Sequence, residues 1–340
     1  MSKPTGKPRR TVALSAEAVR ARAEIARRGS LLNGLSVYKS MASVEELTRT
    51  LPELLRLPIY RPWLWSSPFP QSHSNTGRRG LPTHADFPRE LVWAVQALRV
   101  HKVALRNFLS KKREFDTALL LGNTPLAERT LALVEAEVGV SIWQTEAKVN
   151  LLEVTAGFEA QKAYTSTITD DETAAGLTRF VAFWLSFRAE KNASAAEFMR
   201  LFNRSVELSG ATFHLIHVAL GLCPEVDIKT AAVMISVTDT LCVVDRYLWV
   251  IATLQALLAS GVADNSLLSS IRSIIGTLAG EIDDPHLWRL LVVCGGQVPM
   301  QRNDLLPALD QYTSGRAGED SDEGSQPPSI DLVHLLLRAA

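Results

Sequence analysis

Helix-boundary signals recur so regularly along this sequence that they leave little room for a sheet. Thr124-Pro125 supplies a capping hydroxyl and a proline for the first turn, and Gly139 supplies a stop, so the spacing predicts a helix over 125–138. Ser141 with Gln144 opens the next, which the pattern carries without a break from 141 to 164. Asp170 and Asp171 precede a helix over 172–190, and Ser194 with Glu197 opens one that stops near Gly210. Asp227 and Gly261 bound a long apolar helix over 228–259. Asp264 or Asn265 starts a helix to about 281, and Asp284-Pro285 starts one that ends at Gly295-Gly296. No run alternates with the period of two that a strand requires, so the predicted fold class is all-α: an irregular α-solenoid or stacked helical hairpins, with no sheet.

The rest of the chain divides by texture. Residues 1–57 hold a basic start and short helices. Within them 11–35 reads as a basic amphipathic helix ending near Gly29, and Ser43 with Glu46 forms a capping box. Thr50 with Glu53 repeats the box around Pro52, which predicts two short helices there. Residues 58–88 carry Pro58, Pro62, Pro68 and Pro70 among aromatics and read as an irregular connection, with Trp63, Trp65 and Phe69 plugging the end of the core. Residues 89–312 form the helical core, opening with Leu91, Val95, Leu98, Lys102, Leu105 and Leu109 on one face of a helix over 89–111. Residues 313–329 are an acidic linker containing Glu319-Asp-Ser-Asp-Glu323, and 330–340 form a short apolar helix.

The 340 residues carry 36 basic and 36 acidic side chains, so no global charge points to nucleic acid or membrane. Asp239, Asp245 and Arg246 interrupt the 228–259 run where lipid would penalise each by several kcal/mol, which predicts a buried helix and no membrane partner. Buried charges of this kind must pair. The three cysteines, Cys223, Cys242 and Cys294, lie far apart without metal-ligand spacing, and the basic start lacks the apolar core of a secretory signal. Together these predict a cytoplasmic protein. Phosphate-binding glycine loops and the sequence signatures of zinc proteases, serine hydrolases and thiol redox sites are missing from the chain, so no cofactor, metal or catalytic residue is predicted.

Gly122-Asn-Thr-Pro-Leu-Ala127, followed by Leu131 and Val134, resembles the turn and second helix of a tetratricopeptide repeat over about 115–139. The aromatic positions of that family's first helix and its closing proline have no counterpart here, and no second copy follows at a fixed period. The resemblance implies peptide or protein binding on a concave face and no catalysis.

Candidate site residues follow from the 141–164 helix. Trp143, Glu146, Asn150, Glu153, Gly157, Gln161 and Tyr164 advance by three or four and share one polar stripe between apolar flanks. The functional expectation is a non-catalytic scaffold or adaptor gripping a protein partner through a groove along that stripe, with Gly157 admitting close approach. One alternative is a nucleic-acid-associated regulator using the basic arm of Lys3, Lys7, Arg9 and Arg10. Another is an enzyme with a site near His214, His217 and Asp239.

Overall fold

A computed structural model describes residues 14–60, 68–73, 85–174, 176–189 and 225–297, with the isolated positions 194, 196, 197 and 200. The described residues form thirteen α-helices and no strand. The helices are α1 (Ala16–Ala26), α2 (Leu31–Met41), α3 (Val44–Leu54), α4 (Phe87–Val100), α5 (Lys102–Leu120), α6 (Thr124–Val138) and α7 (Ile142–Thr155). They continue with α8 (Phe158–Thr169), α9 (Gly176–Ala189), α10 (Ile228–Val237), α11 (Val243–Ala259), α12 (Asn265–Ile282) and α13 (Pro285–Val293). A 3-10 turn, Thr238–Thr240, joins α10 to the approach of α11.

The chain folds around α4. Every residue from Glu90 to Leu98 is buried, which an ordinary amphipathic helix with one wet face does not allow. Helices α2, α3, α10, α11 and α12 pack around it. From α5 onward the helices stack in chain order: α5 on α6, α6 on α7, α7 on α8 and α9. Short connections keep consecutive helices here adjacent in space. The expected all-α stack is therefore present, built onto an enclosed axial helix.

Capping chemistry sets most boundaries. Ser43 accepts from Glu46 N at 3.1 Å, Ser141 from Gln144 N at 2.9 Å and Asp264 from Leu267 N at 2.8 Å, each holding a backbone donor of the first turn. At α6 the cap is Asn123, one residue earlier than the threonine suggested by sequence, and it accepts from Leu126 N at 3.3 Å.

Four helix expectations need correction. The 89–111 helix breaks at His101, whose non-helical backbone turns α4 into α5, and α5 then runs on to Leu120. The 228–259 helix is interrupted by the 3-10 turn, so Asp239 sits at a corner. The 141–164 helix ends at Thr155 and restarts after Gly157, whose φ of 81° is left-handed. Conversely, Pro52 does not split α3, because it lies in the last turn, where a missing N–H removes one bond before the helix ends anyway. Thr50 is no cap: it is buried, donating to the Glu46 carbonyl at 2.8 Å and lying 2.6 Å from the Tyr38 hydroxyl. The helix expected from Ser194 to Gly210, the linker 313–329 and the 330–340 segment lie outside or almost wholly outside the described residues.

Candidate functional site: the corner of α4 and α5

The expected groove does not form along one helix, because α7 and α8 fold back on each other at Gly157. Trp143 is buried, with its ring edge-on to Phe108 at 4.9 Å and to Phe115 at 5.9 Å. Gln161 is also buried and faces α9, accepting from the Ser186 hydroxyl at 2.8 Å. Tyr164 is half-buried, and burial first, opposed by a hydrogen bond with Thr145, pushes its hydroxyl up to about 12. Glu146 and Glu153 are half-buried, and only Asn150 of the seven is exposed. The structure thus disperses the stripe: Trp143 packs on α5, Gln161 on α9, and Asn150 faces solvent. Lys3, Lys7, Arg9, Arg10, His214, His217, Trp63 and Trp65 lie outside the described residues.

Four charged side chains meet in the interior. Lys39 Nζ lies 2.6 Å from Glu90 Oε2 and 3.2 Å from Asp239 Oδ2, and Arg246 pairs with the other oxygen of Asp239. Glu90 also accepts from Ala85 N at 2.6 Å, and Lys39 stands 5.4 Å from the centroid of the Trp93 ring. Two cations balance two carboxylates. Burial pushes the Glu90 carboxyl up, opposed by Lys39, and pushes Arg246 down, opposed by Asp239. The pairing of Asp239 and Arg246 follows the sequence expectation for buried charges; Lys39 and Glu90 lie outside that expectation, although Glu90 heading the eight-residue nonionic run from Leu91 to Leu98 is a signal. This cluster ties α2, α4, the 3-10 turn and α11 together.

Asp245 has a different task. Its two oxygens accept from Ile142 N at 2.7 Å and Trp143 N at 3.0 Å, so a residue of α11 caps the start of α7 across the core. The Cys242 thiol adds a contact at 3.2 Å, and burial keeps that thiol protonated. Glu90, Asp239 and Asp245 are thus engaged in pairing and capping. Among the described residues no three His, Cys, Asp or Glu side chains gather as a metal would require, and no helix is long and apolar enough to cross a membrane.

A surface feature escaped the sequence reading. Residues Pro68 to Gln71 cross three corners of the fold: the Pro68 carbonyl accepts from Val243 N at 3.2 Å, and the Pro70 carbonyl accepts from Val140 N at 2.7 Å. Phe69 between them packs edge-on against His101 at 5.3 Å, part of the plug role expected for it. Gly139 makes this crossing possible, since a Cβ there would stand 2.1 Å from the Pro70 oxygen.

Beside Phe69 opens a depression of about 400 Å³ lined by Val100, Val103, Ala104 and Val138, with Asn107 and Glu137 at its polar margin. Val100 and Val103 are 43% and 64% exposed, so aliphatic surface is left wet on an otherwise well-packed corner. Val100 also borders a second depression of about 210 Å³, lined by Arg56, Arg99, Lys102 and Glu281. Arg99 grips Glu281 through two bonds of 3.0 and 2.9 Å, and Lys102 reaches the same carboxylate at 3.2 Å. Hydrogen bonding from Arg99, then Lys102, holds the Glu281 carboxyl below its usual range. Three cations face one carboxylate there. The corner therefore presents an aliphatic hollow beside a net positive one.

Comparison with models of known families, with curated proteins and with solved structures finds no match.

Proposed function

We propose that this chain is a non-catalytic helical scaffold that binds a protein partner at the corner of α4 and α5. The partner segment places an aliphatic side chain among Val100, Val103 and Val138 and sets acidic residues against Arg56, Arg99 and Lys102. The observation that carries this reading is the pair of depressions meeting at Val100, one apolar and one basic, on rigid helical walls. Interfaces combine an apolar anchor with a charged margin in this way, the anchor giving affinity and the charge giving orientation. The interior charges support the same reading, because pairing and capping account for them without a substrate.

The test is selection from a random peptide display library against the full-length protein. Enrichment of peptides that pair an aliphatic residue with acidic neighbours, bound at least about tenfold more weakly by Val103→Asp, supports the proposal. No enrichment, or peptides that bind Val103→Asp as well as the parent, overturns it. Val103 is exposed enough that the substitution leaves the fold intact.

A further inference from the structure

A cavity of about 80 Å³ lies where α5, α11 and the start of α13 meet, sharing no lining residue with the α4–α5 corner. Leu109, Leu248 and Ile251 give it aliphatic walls. Two carboxylates also line it, and both are already engaged. Asp284 accepts from the Tyr247 hydroxyl and from His286 N, the latter at 3.0 Å, while Asp116 is held by Lys112 at 2.5 Å. The groups left over are cationic or neutral donors. Among the described residues the Arg113 guanidinium touches only the Leu109 carbonyl, through Nε at 3.4 Å, which leaves its two terminal amino groups for other partners. The His286 imidazole is half-buried and makes no hydrogen bond among the described residues. Burial holds its pKa down against the pull of Asp284, and Arg289 and Lys112 push the same way as burial.

A water fills on the order of 10–15 Å³ of such space, so the cavity accepts roughly six waters or a molecule of about as many heavy atoms. The planar fork of an arginine matches a carboxylate through two parallel hydrogen bonds. Aliphatic walls add affinity only for a ligand with a hydrocarbon body, which inorganic phosphate lacks. From this juxtaposition of Arg113, His286 and the three aliphatic walls we infer that the cavity binds a short aliphatic carboxylate. Arg113, exposed at the mouth, takes the carboxylate. His286 supports it, and the hydrocarbon tail lies between Leu109, Leu248 and Ile251.

The experiment is calorimetric titration of the full-length chain with butyrate, butyramide and inorganic phosphate, alongside histidine-resolved NMR. Butyrate should bind and raise the pKa of His286, because a bound anion favours the charged imidazole. Butyramide and phosphate should bind at least about tenfold more weakly, and Arg113→Gln should weaken butyrate by a similar factor without altering the melting temperature. Four results would each overturn the inference: no butyrate binding, equal binding of butyramide, equal binding of phosphate, or an Arg113→Gln variant that binds butyrate as tightly as the parent. Because Arg113 is exposed, loss of binding in that variant reports on the site and not on folding.

Discussion

The interior charges define what single residues do here. Lys39 compensates Glu90 and half of Asp239, so removing it alone strands a buried negative charge. Lys39→Met should cost about 3–5 kcal/mol of unfolding free energy in urea titrations. Lys39→Met combined with Glu90→Gln leaves the neutral Asp239–Arg246 pair and should recover at least about half of that loss, showing that the penalty comes from imbalance and not from the missing contact. Asp245 makes a pH prediction of definite sign. Burial raises its carboxyl from 3.8 to about 6, with Glu146 adding to the rise and the Ile142 and Trp143 N–H groups and Cys242 opposing it. The folded chain thus holds this proton more tightly than the unfolded chain does. The associated stability is fully present below about pH 4 and is lost as pH rises toward 6. Asp245→Asn should flatten this segment of the stability–pH curve, measured by unfolding at several pH values between 4 and 7. It should also destabilise by about 1–2 kcal/mol, because an amide offers one acceptor oxygen where two N–H donors wait.

At the scale of elements, the glycines that end helices are not equivalent. Gly122 and Gly139 both have left-handed φ, 70° and 74°, but a Cβ on Gly122 meets open space, whereas one on Gly139 strikes the Pro70 carbonyl. Gly122→Ala should cost about 1 kcal/mol of backbone strain. Gly139→Ala should cost at least about 1–3 kcal/mol more by displacing the 68–71 crossing, as thermal unfolding would read. The same contrast explains what the sequence made legible. Caps and stops are local chemistry, and α6, α12 and α13 fall within a residue or two of their expected bounds. The breaks at His101 and at the 3-10 turn after Val237 were hidden because the apolar phase runs through the corner, both flanking helices burying side chains in the same core. Gly157 was legible in principle: read as a stop, like Gly139, it would have ended the helix that the candidate stripe required. The Val100–Val103 surface had no signal of its own, since what distinguishes it is the lack of a covering neighbour, which no local pattern encodes.

On the scale of the whole molecule, α4 is the axis and its partners come from both ends of the described chain: α2 and α3 before it, α10 to α12 well after. Its amides should therefore exchange with solvent only through global unfolding, whereas those of α7 and α8, around the exposed stretch from Val154 to Ala156, should open locally. Hydrogen exchange followed by mass spectrometry checks this, with faster exchange in 91–98 than in 150–160 as the contrary result. The dispersed partnership also bears on synthesis. When the ribosome has completed α4 at Val100, about 180 residues remain before α12 ends at Ile282, which at roughly 5–20 residues per second is on the order of ten to forty seconds. Throughout that interval Leu91, Val92, Trp93, Val95 and Leu98 have α2 and α3 but lack the full set of helices that encloses them in the finished fold. A nascent chain built this way presents a sustained target for holding chaperones, and its yield in a cell depends on their supply as much as on the stability of the final structure.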